Sequence, residues 1–297
     1  MVRGLFVGVA TLDLVQRVGW RPEVDEKVVA QRSDLAAGGP AAAAAVTFSA
    51  LGGHATLLSA LGPGPIGQVV KDDLNGAGVH TVDAWAGGAD LSISAITVLD
   101  GTGERSVVSR SSEDVFVAVP ADLPALTRDT NVVLIDGHYP ALAVAAARAA
   151  RTTGTPVVLD GGSTKPVYDE LVPLADAMVC SSSFGGLPEG FDTVAAELLA
   201  AGTRLVAMTA GGAPVRWRTR DATGSIDVPV VTVRDTLGAG DVLHGAFAFA
   251  RARGVTDPRR SLSFGIAVAS LRVQRTGPRS WRGDQRLREL VAEAGHP

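Results

Sequence analysis

The sequence predicts a three-layer α/β/α fold, with a mostly parallel central sheet, helices on both of its faces, and a small antiparallel β lid. Three observations carry that prediction. Short apolar runs rich in β-branched residues alternate with longer segments at helical spacing, the pattern of strands buried on both faces. Two stretches, 14–35 and 91–110, replace that rhythm with period-2 alternation. Finally, 297 residues at 46% hydrophobic and 20% charged can bury a large core as a soluble globular protein.

The first strand is expected at Leu5–Ala10. Asp13 and Arg17 follow it too soon for a signal peptide or a membrane helix, so the chain reads as a cytoplasmic enzyme. Further core strands are expected at Ala55–Ala60, Asn131–Asp136, Pro156–Asp160, Ala177–Cys180 and Arg204–Ala210. Helices are expected at Ala41–Leu51, Ile66–Asn75, Ala141–Arg151 and Phe191–Ala201. The turn Asp100-Gly101-Thr102-Gly103, between Ile93–Val98 and Arg105–Val108, is a hairpin signature with one apolar and one polar face. Residues 14–35 and 91–110 are therefore assigned to the lid, and 1–13, 36–90 and 111–297 to the main domain. The lid's apolar face needs cover, from substrate or from another subunit.

Composition excludes several classes. A net charge of −4 gives no support to a nucleic-acid or membrane surface. One cysteine, Cys180, allows no internal disulfide and no cysteine metal cluster, and its place after Ala177-Met178-Val179 suits a buried strand-end thiol.

The chemistry concentrates in Asp235-Thr236-Leu237-Gly238-Ala239-Gly240-Asp241. A strand-like run, Ile226–Val233, leads in, and Val242–Ala250 leaves at helical spacing. A glycine-rich turn at a helix start offers unpaired N–H groups and the positive end of the helix dipole to an anion such as phosphate. A carboxylate there repels that anion, so Asp241 needs a chemical reason: accepting the proton of a hydroxyl that attacks the phosphate. The turn is neither a dinucleotide fingerprint, because Leu243 stands where the third glycine belongs, nor a P-loop, which the chain lacks. The bland alternative for Asp241 is a helix cap.

These seven residues resemble the second signature of the PfkB, or ribokinase-like, family of sugar and nucleoside kinases. Gly38-Gly39-Pro40-Ala41-Ala42, running on to Leu51-Gly52-Gly53, resembles the first signature, and the similarity spans nearly the whole chain. The resemblance implies Asp241 as general base, the amides of Gly238, Ala239 and Gly240 as an anion hole, and ATP with Mg²⁺ as phosphoryl donor. It implies sugar contacts at Asp13, Gly38 and Gly39, with His138 and Arg105 as further candidates. Thr209 and Gly211 resemble the family's T-x-G nucleotide element, and Lys165 stands where relatives place a cation near the phosphates. Asp235 matches a position that helps hold a monovalent cation such as K⁺, its alternative being a turn-forming aspartate. Structural readings compete at the other positions too: a loop aspartate at Asp13, a strand end at Thr209, a packed histidine at His138, and solvated charges at Lys165 and Arg105. His244 reads as packing. A homodimer through the lid is a family expectation. An aspartate of ordinary pKa, about 3.9, is a weak base, which a loose phosphoryl transition state tolerates.

Several positions depart from the family pattern. Ala43 replaces a common asparagine, Ser181-Ser182-Ser183-Phe184 replaces the N-x-x-E element that organises Mg²⁺, and Pro214 replaces a glycine. The first-signature pattern looks most like a branch that includes sulfofructose kinases and, more remotely, ketohexokinases. Sulfonate recognition calls for a strong cation near His138, and the sequence displays none. The expected activity is ATP-dependent phosphorylation of a hydroxyl on a fructose- or ketose-like sugar or another small carbohydrate. The rivals are a nucleoside kinase of the same fold, disfavoured by 5% aromatic content, and a catalytically silent sugar-binding regulatory protein, favoured by the missing N-x-x-E.

Overall fold

A computed structural model describes residues 1–185 and 187–293. The chain opens with β1 (Arg3–Val7), β2 (Thr11–Val18), β3 (Arg32–Gly38), α1 (Pro40–Ala50), β4 (His54–Ser59), α2 (Pro65–Gly76) and β5 (Val79–Asp83). It continues with β6 (Trp85–Gly88), β7 (Ile93–Leu99), β8 (Arg105–Ser109), β9 (Val115–Val117), α3 (Leu123–Arg128), β10 (Val132–Ile135), α4 (Pro140–Thr153) and β11 (Val157–Gly161). Then come α5 (Tyr168–Leu171), β12 (Ala177–Ser181), α6 (Leu187–Ala201), β13 (Leu205–Ala210), β14 (Ala213–Arg218) and β15 (Thr223–Ile226). The chain closes with α7 (Ala239–Ala252), α8 (Pro258–Val273) and α9 (Gln285–Glu293).

Nine strands form the main sheet in the order β15-β14-β13-β12-β11-β10-β1-β4-β5. From β13 to β5 every pairing is parallel; β14 and β15 finish one edge antiparallel. Phe48 of α1, Phe247 and Phe249 of α7 and Leu262 of α8 belong to the core on one face. Leu142 and Ala147 of α4 and Phe191 and Leu199 of α6 belong to the core on the other. Burial on both faces explains why the strands read as continuous apolar runs. Cys180 is a buried strand residue, as expected, and burial pushes its thiol pKa up.

α7 is central. It packs closely on α1 at Gly245, where a Cβ would lie 2.4 Å from the Ala44 carbonyl oxygen. Only glycine permits that approach, which fixes where α7 begins and so where Asp241 stands. No described helix is long and apolar enough to cross a membrane.

The lid is a four-stranded sheet, β3-β2-β7-β8. Its outer pairings are antiparallel and its central one, β2 with β7, is parallel. Two sequence expectations need correction. Residues 19–31 form no strand, although they lie inside a stretch read as alternating. The run Ile226–Val233 is strand only to Ile226. Beyond it, Pro229 has no N–H for a ladder, and Arg234 and Asp235 instead donate their amides to the Val273 carbonyl at the end of α8, at 2.7 and 3.1 Å.

Candidate active site

α7 starts on Gly238, whose φ of 70° is left-handed and suits glycine. The Ala239 amide reaches the Thr236 carbonyl at 3.3 Å, while the first-turn amides of Gly240 and Asp241 precede any acceptor inside the helix. The Asp241 carboxylate folds back over this turn, with Oδ2 3.7 Å from where a Cβ of residue 238 would be. It faces a cleft of about 1360 Å³ shared with Asp13, Gly39, Ser94, His138 and Lys165. That exceeds the roughly 300–1,000 Å³ of a pocket for one small ligand.

Asp241 is not an ordinary carboxylate. Burial, followed by the charge of Asp160, raises its pKa to about 7; His244 and Arg105 oppose the shift and Asp13 adds to it. The expectation of a weak base at its usual pKa is therefore corrected. The sequence does not reveal the shift because Asp160 comes from a different strand, β11. A carboxylate titrating near 7 beside partnerless amides can exchange a proton with a bound hydroxyl at neutral pH.

The lid's two-residue period sorts its inner face into rows. Asp13, Ser94 and Ser109 lie in register, then Val15, Ile96 and Val107, then Arg17, Val98 and Arg105. The first row lines the cleft. The Asp13 carboxylate accepts from Thr11 Oγ1 at 2.7 Å. Burial raises its pKa, against the hydrogen bonds of Thr11 and Ser94 and the charge of Arg279. Gly38 and Gly39 stand beside it: a Cβ on Gly38 would overlap the Asp13 carboxylate, and Gly39 has φ 90° with the Val9 carbonyl oxygen 2.4 Å from its would-be Cβ.

Asp136, which sequence reading passed over, organises the adjoining wall. One of its oxygens accepts from the amides of Val9 at 2.9 Å and Ala41 at 3.3 Å, and the other from the His138 amide at 2.9 Å. His138 Nδ1 lies 3.1 Å from the same carboxylate. These bonds tie the segment after β1, the start of α1 and His138 to one buried group. Lys165 Nζ donates to the Asp136 main-chain carbonyl at 3.2 Å. A cation therefore does stand close to His138, contrary to the sequence reading. Thr209, whose Oγ1 donates to the Cys180 carbonyl at 3.3 Å, and Gly211, with φ 59°, lie at the β13–β14 turn outside the residues lining this cleft.

Arg105 crosses from the lid to the motif, donating to Thr236 Oγ1 at 3.2 Å. Thr236 in turn donates its amide and hydroxyl to the Gly103 carbonyl at 3.2 and 2.8 Å. The hairpin tip thus docks onto the segment leading into α7. Asp235 is 1% exposed, and its oxygens accept from the amides of Leu237 and Gly277, each at 3.0 Å. Two guanidinium groups flank it, Arg17 at 3.5 Å and Arg272 at 3.4 Å. A K⁺ ion there would meet two like charges and no free oxygen charge, so these residues do not fit the monovalent-cation role expected for Asp235.

Among the described residues, one cluster has the spacing of metal ligands: Asp160, Asp241 and His244, with atoms within 4.8 Å of one another. Both imidazole nitrogens are engaged, Nδ1 with Asp160 at 3.0 Å and Nε2 with the Val179 carbonyl at 3.1 Å. Only Nδ1 could meet an ion, and Asp160 already lies against it. It is also more than packing: it is held at both ends.

The family description "pfkB family carbohydrate kinase" matches residues 4–282, and the chain belongs to that family of phosphotransferases acting on sugars. The ribokinase of Arabidopsis thaliana is 26% identical over 288 residues, covering 91% of this chain and 76% of the relative. An ATP-dependent ribose-1-phosphate kinase of Halopiger xanaduensis is 27% identical over 288 residues, covering 94% and 95%. Among solved structures, a candidate ribokinase from Agrobacterium tumefaciens aligns with a TM-score of 0.85 and 29% identity, covering 99% of this chain and 97% of that one. The Arabidopsis thaliana ribokinase complexed with ribose and ATP shares the fold, with a TM-score of 0.78 at 22% identity over 99% and 98% of the two chains.

Proposed function

We propose that this chain phosphorylates a small carbohydrate with ATP, and that Asp241 is the general base. The sugar hydroxyl transfers its proton to the Asp241 carboxylate as its oxygen bonds to the γ-phosphorus, while the bond from that phosphorus to the β,γ-bridging oxygen breaks and ADP leaves. The amides of Gly238 and Gly240, joined by that of Ala239 once it leaves the Thr236 carbonyl, hold the transferred phosphoryl oxygens, a role worth roughly 3–4 kcal/mol per donor. The observation that carries this reading is the place of Asp241: a carboxylate in the first turn of α7, facing the cleft that it shares with Asp13. With Asp241→Asn, turnover should fall at least about 10²-fold with sugar binding kept. Near-normal turnover would remove the base assignment.

Asp13 would take two sugar hydroxyls, with Gly38 and Gly39 allowing close approach and His138 and Lys165 contacting the far side of the sugar. Thr209 and Gly211 would line the nucleotide's path, and Arg105 would meet the phosphates beside Thr236. Mg²⁺, arriving with ATP, would neutralise phosphate charge; no side chain is assigned to it, since Ser181 to Phe184 carry no carboxylate or amide side chain. The relatives' names point to ribose-type sugars, and a fructose- or ketose-like sugar remains the other member of the class. ATP consumption against a panel of aldoses, ketoses, their monophosphates and nucleosides chooses among them. Sugar-induced thermal stabilisation without any turnover would make the chain a binding protein instead.

The outer face of the lid, with Leu35 60% and Val108 74% exposed, supports a homodimer joined there. Val108→Glu should then convert a dimer to a monomer in sedimentation.

A further inference from the structure

Asp160 and His244 lie beneath Asp241 and take no part in the reaction just described. Asp160 ends β11. His244 is on α7, three residues after Asp241 and hence on the same helix face. Both are enclosed, at 2% and 3% exposure. The Val179 carbonyl can only accept a hydrogen bond, so His244 Nε2, 3.1 Å away, must carry a proton. Nδ1 and Asp160 Oδ2 approach to 3.0 Å as a charge contact, and neither atom has a hydrogen-bonding partner elsewhere or an aligned bond to the other. A lone pair and a bare carboxylate cannot be held that close in a buried site, so the pair carries one proton between its two members. The pair is either imidazolium with carboxylate or imidazole with carboxylic acid. Its net charge is zero in both forms.

We propose that Asp160 and His244 are positioning residues for phosphoryl transfer: a buried, proton-sharing pair that fixes Asp241 and keeps a second negative charge from suppressing its ionisation. This rests on Asp241 being the base. Two bare carboxylates within 4.8 Å at the floor of a cleft repel each other, and that repulsion favours the protonated form of Asp241. The shared proton prevents that, while the Val179 bond stops the ring from turning away.

Other charges around the site are accounted for. Asp241 faces Arg105 from β8 and Asp13 from β2 as well as this pair. His244 faces Asp160, Asp241 and the Val179 carbonyl; burial disfavours its charged form, but these three partners outweigh burial and raise its pKa. Tyr168 and Cys180, beside Asp160, are held neutral, burial being the first cause in each. α1 carries no titratable side chain, and the one buried charged residue of α8, Arg272, is paired with Asp235.

The test is the pH dependence of kcat/KM in the full chain, with ATP and the sugar found by the panel. His244→Asn leaves Asp160 without its shared proton and should move the acid limb upward by about one pH unit. The double variant Asp160→Asn with His244→Asn removes the stranded charge and should bring the limb back toward its original position. A packing role predicts the reverse, with the second substitution adding damage. If His244→Asn fails to fold, His244→Gln tests the same loss, with the same upward shift expected. A limb that stays fixed in the folded variants, or a double variant no better than His244→Asn, overturns the inference. Failure of the base assignment is read separately, from Asp241→Asn retaining turnover.

Discussion

The carboxylate of Asp13 fills the space that a side chain at Gly38 would need: a Cβ on Gly38 would lie 2.0 Å from Asp13 Oδ2. Gly38→Ala should therefore displace the carboxylate from the cleft. The expected result is a sugar KM at least tenfold higher, about 1.4 kcal/mol or more in binding, with ATP affinity nearly unchanged. Steady-state kinetics with each substrate varied in turn checks this.

The pKa of Asp241 sets an acid limit. A base must be deprotonated to act, so kcat/KM should fall about tenfold per pH unit below about 7 and level off above it. The same shift has an opposite consequence for the unliganded fold. Between the ordinary value of 3.8 and about 7, the native state holds a proton that the unfolded chain has released. Raising the pH through that window therefore costs stability. Thermal melts across the range, compared with Asp241→Asn, should isolate this slope.

Arg17 and Arg272 beside Asp235 should make the protein indifferent to monovalent cations. Turnover in KCl, NaCl and choline chloride at equal ionic strength should agree within about twofold, on the scale where 1.4 kcal/mol is tenfold. Strong activation by K⁺ would contradict the arrangement. Arg272→Met should destabilise the fold by about 3 kcal/mol or more, because it breaks a buried ion pair; denaturant unfolding measures that loss.

Gly245→Ala places a methyl group 2.4 Å from the Ala44 carbonyl oxygen. The overpacking should cost about 1–3 kcal/mol and shift α7 against α1. Turnover should fall more than sugar affinity, since Asp241 rides on α7 while Asp13 does not.

What the sequence displays depends on how far apart the cooperating residues stand. The β/α alternation is written into local periodicity, and the Gly238–Asp241 turn puts its chemistry into consecutive residues, so both are legible. Asp136 is not, because its meaning lies in amides of Val9 and Ala41 contributed by another part of the chain. Asp235 looks like an ion ligand until Arg17 is brought across from the lid. His244 looks like helix packing until β11 and β12 supply Asp160 and the Val179 carbonyl. The false strand after Ile226 has the complementary cause: its composition suits a strand, but no neighbouring ladder is there to receive it.

The parity of the lid strands has a consequence for how this protein can change over evolutionary time. Asp13, Ser94 and Ser109 share one face of the sheet because each sits at the right odd or even place in its strand. A point substitution in that row can reshape the cleft while leaving the rest of the sheet alone. A one-residue insertion within the strand cannot, because it would turn the cleft-facing set outward and bring the solvent-facing set in. Selection for a new substrate therefore has substitutions available in these strands, and length changes only in the turns between them.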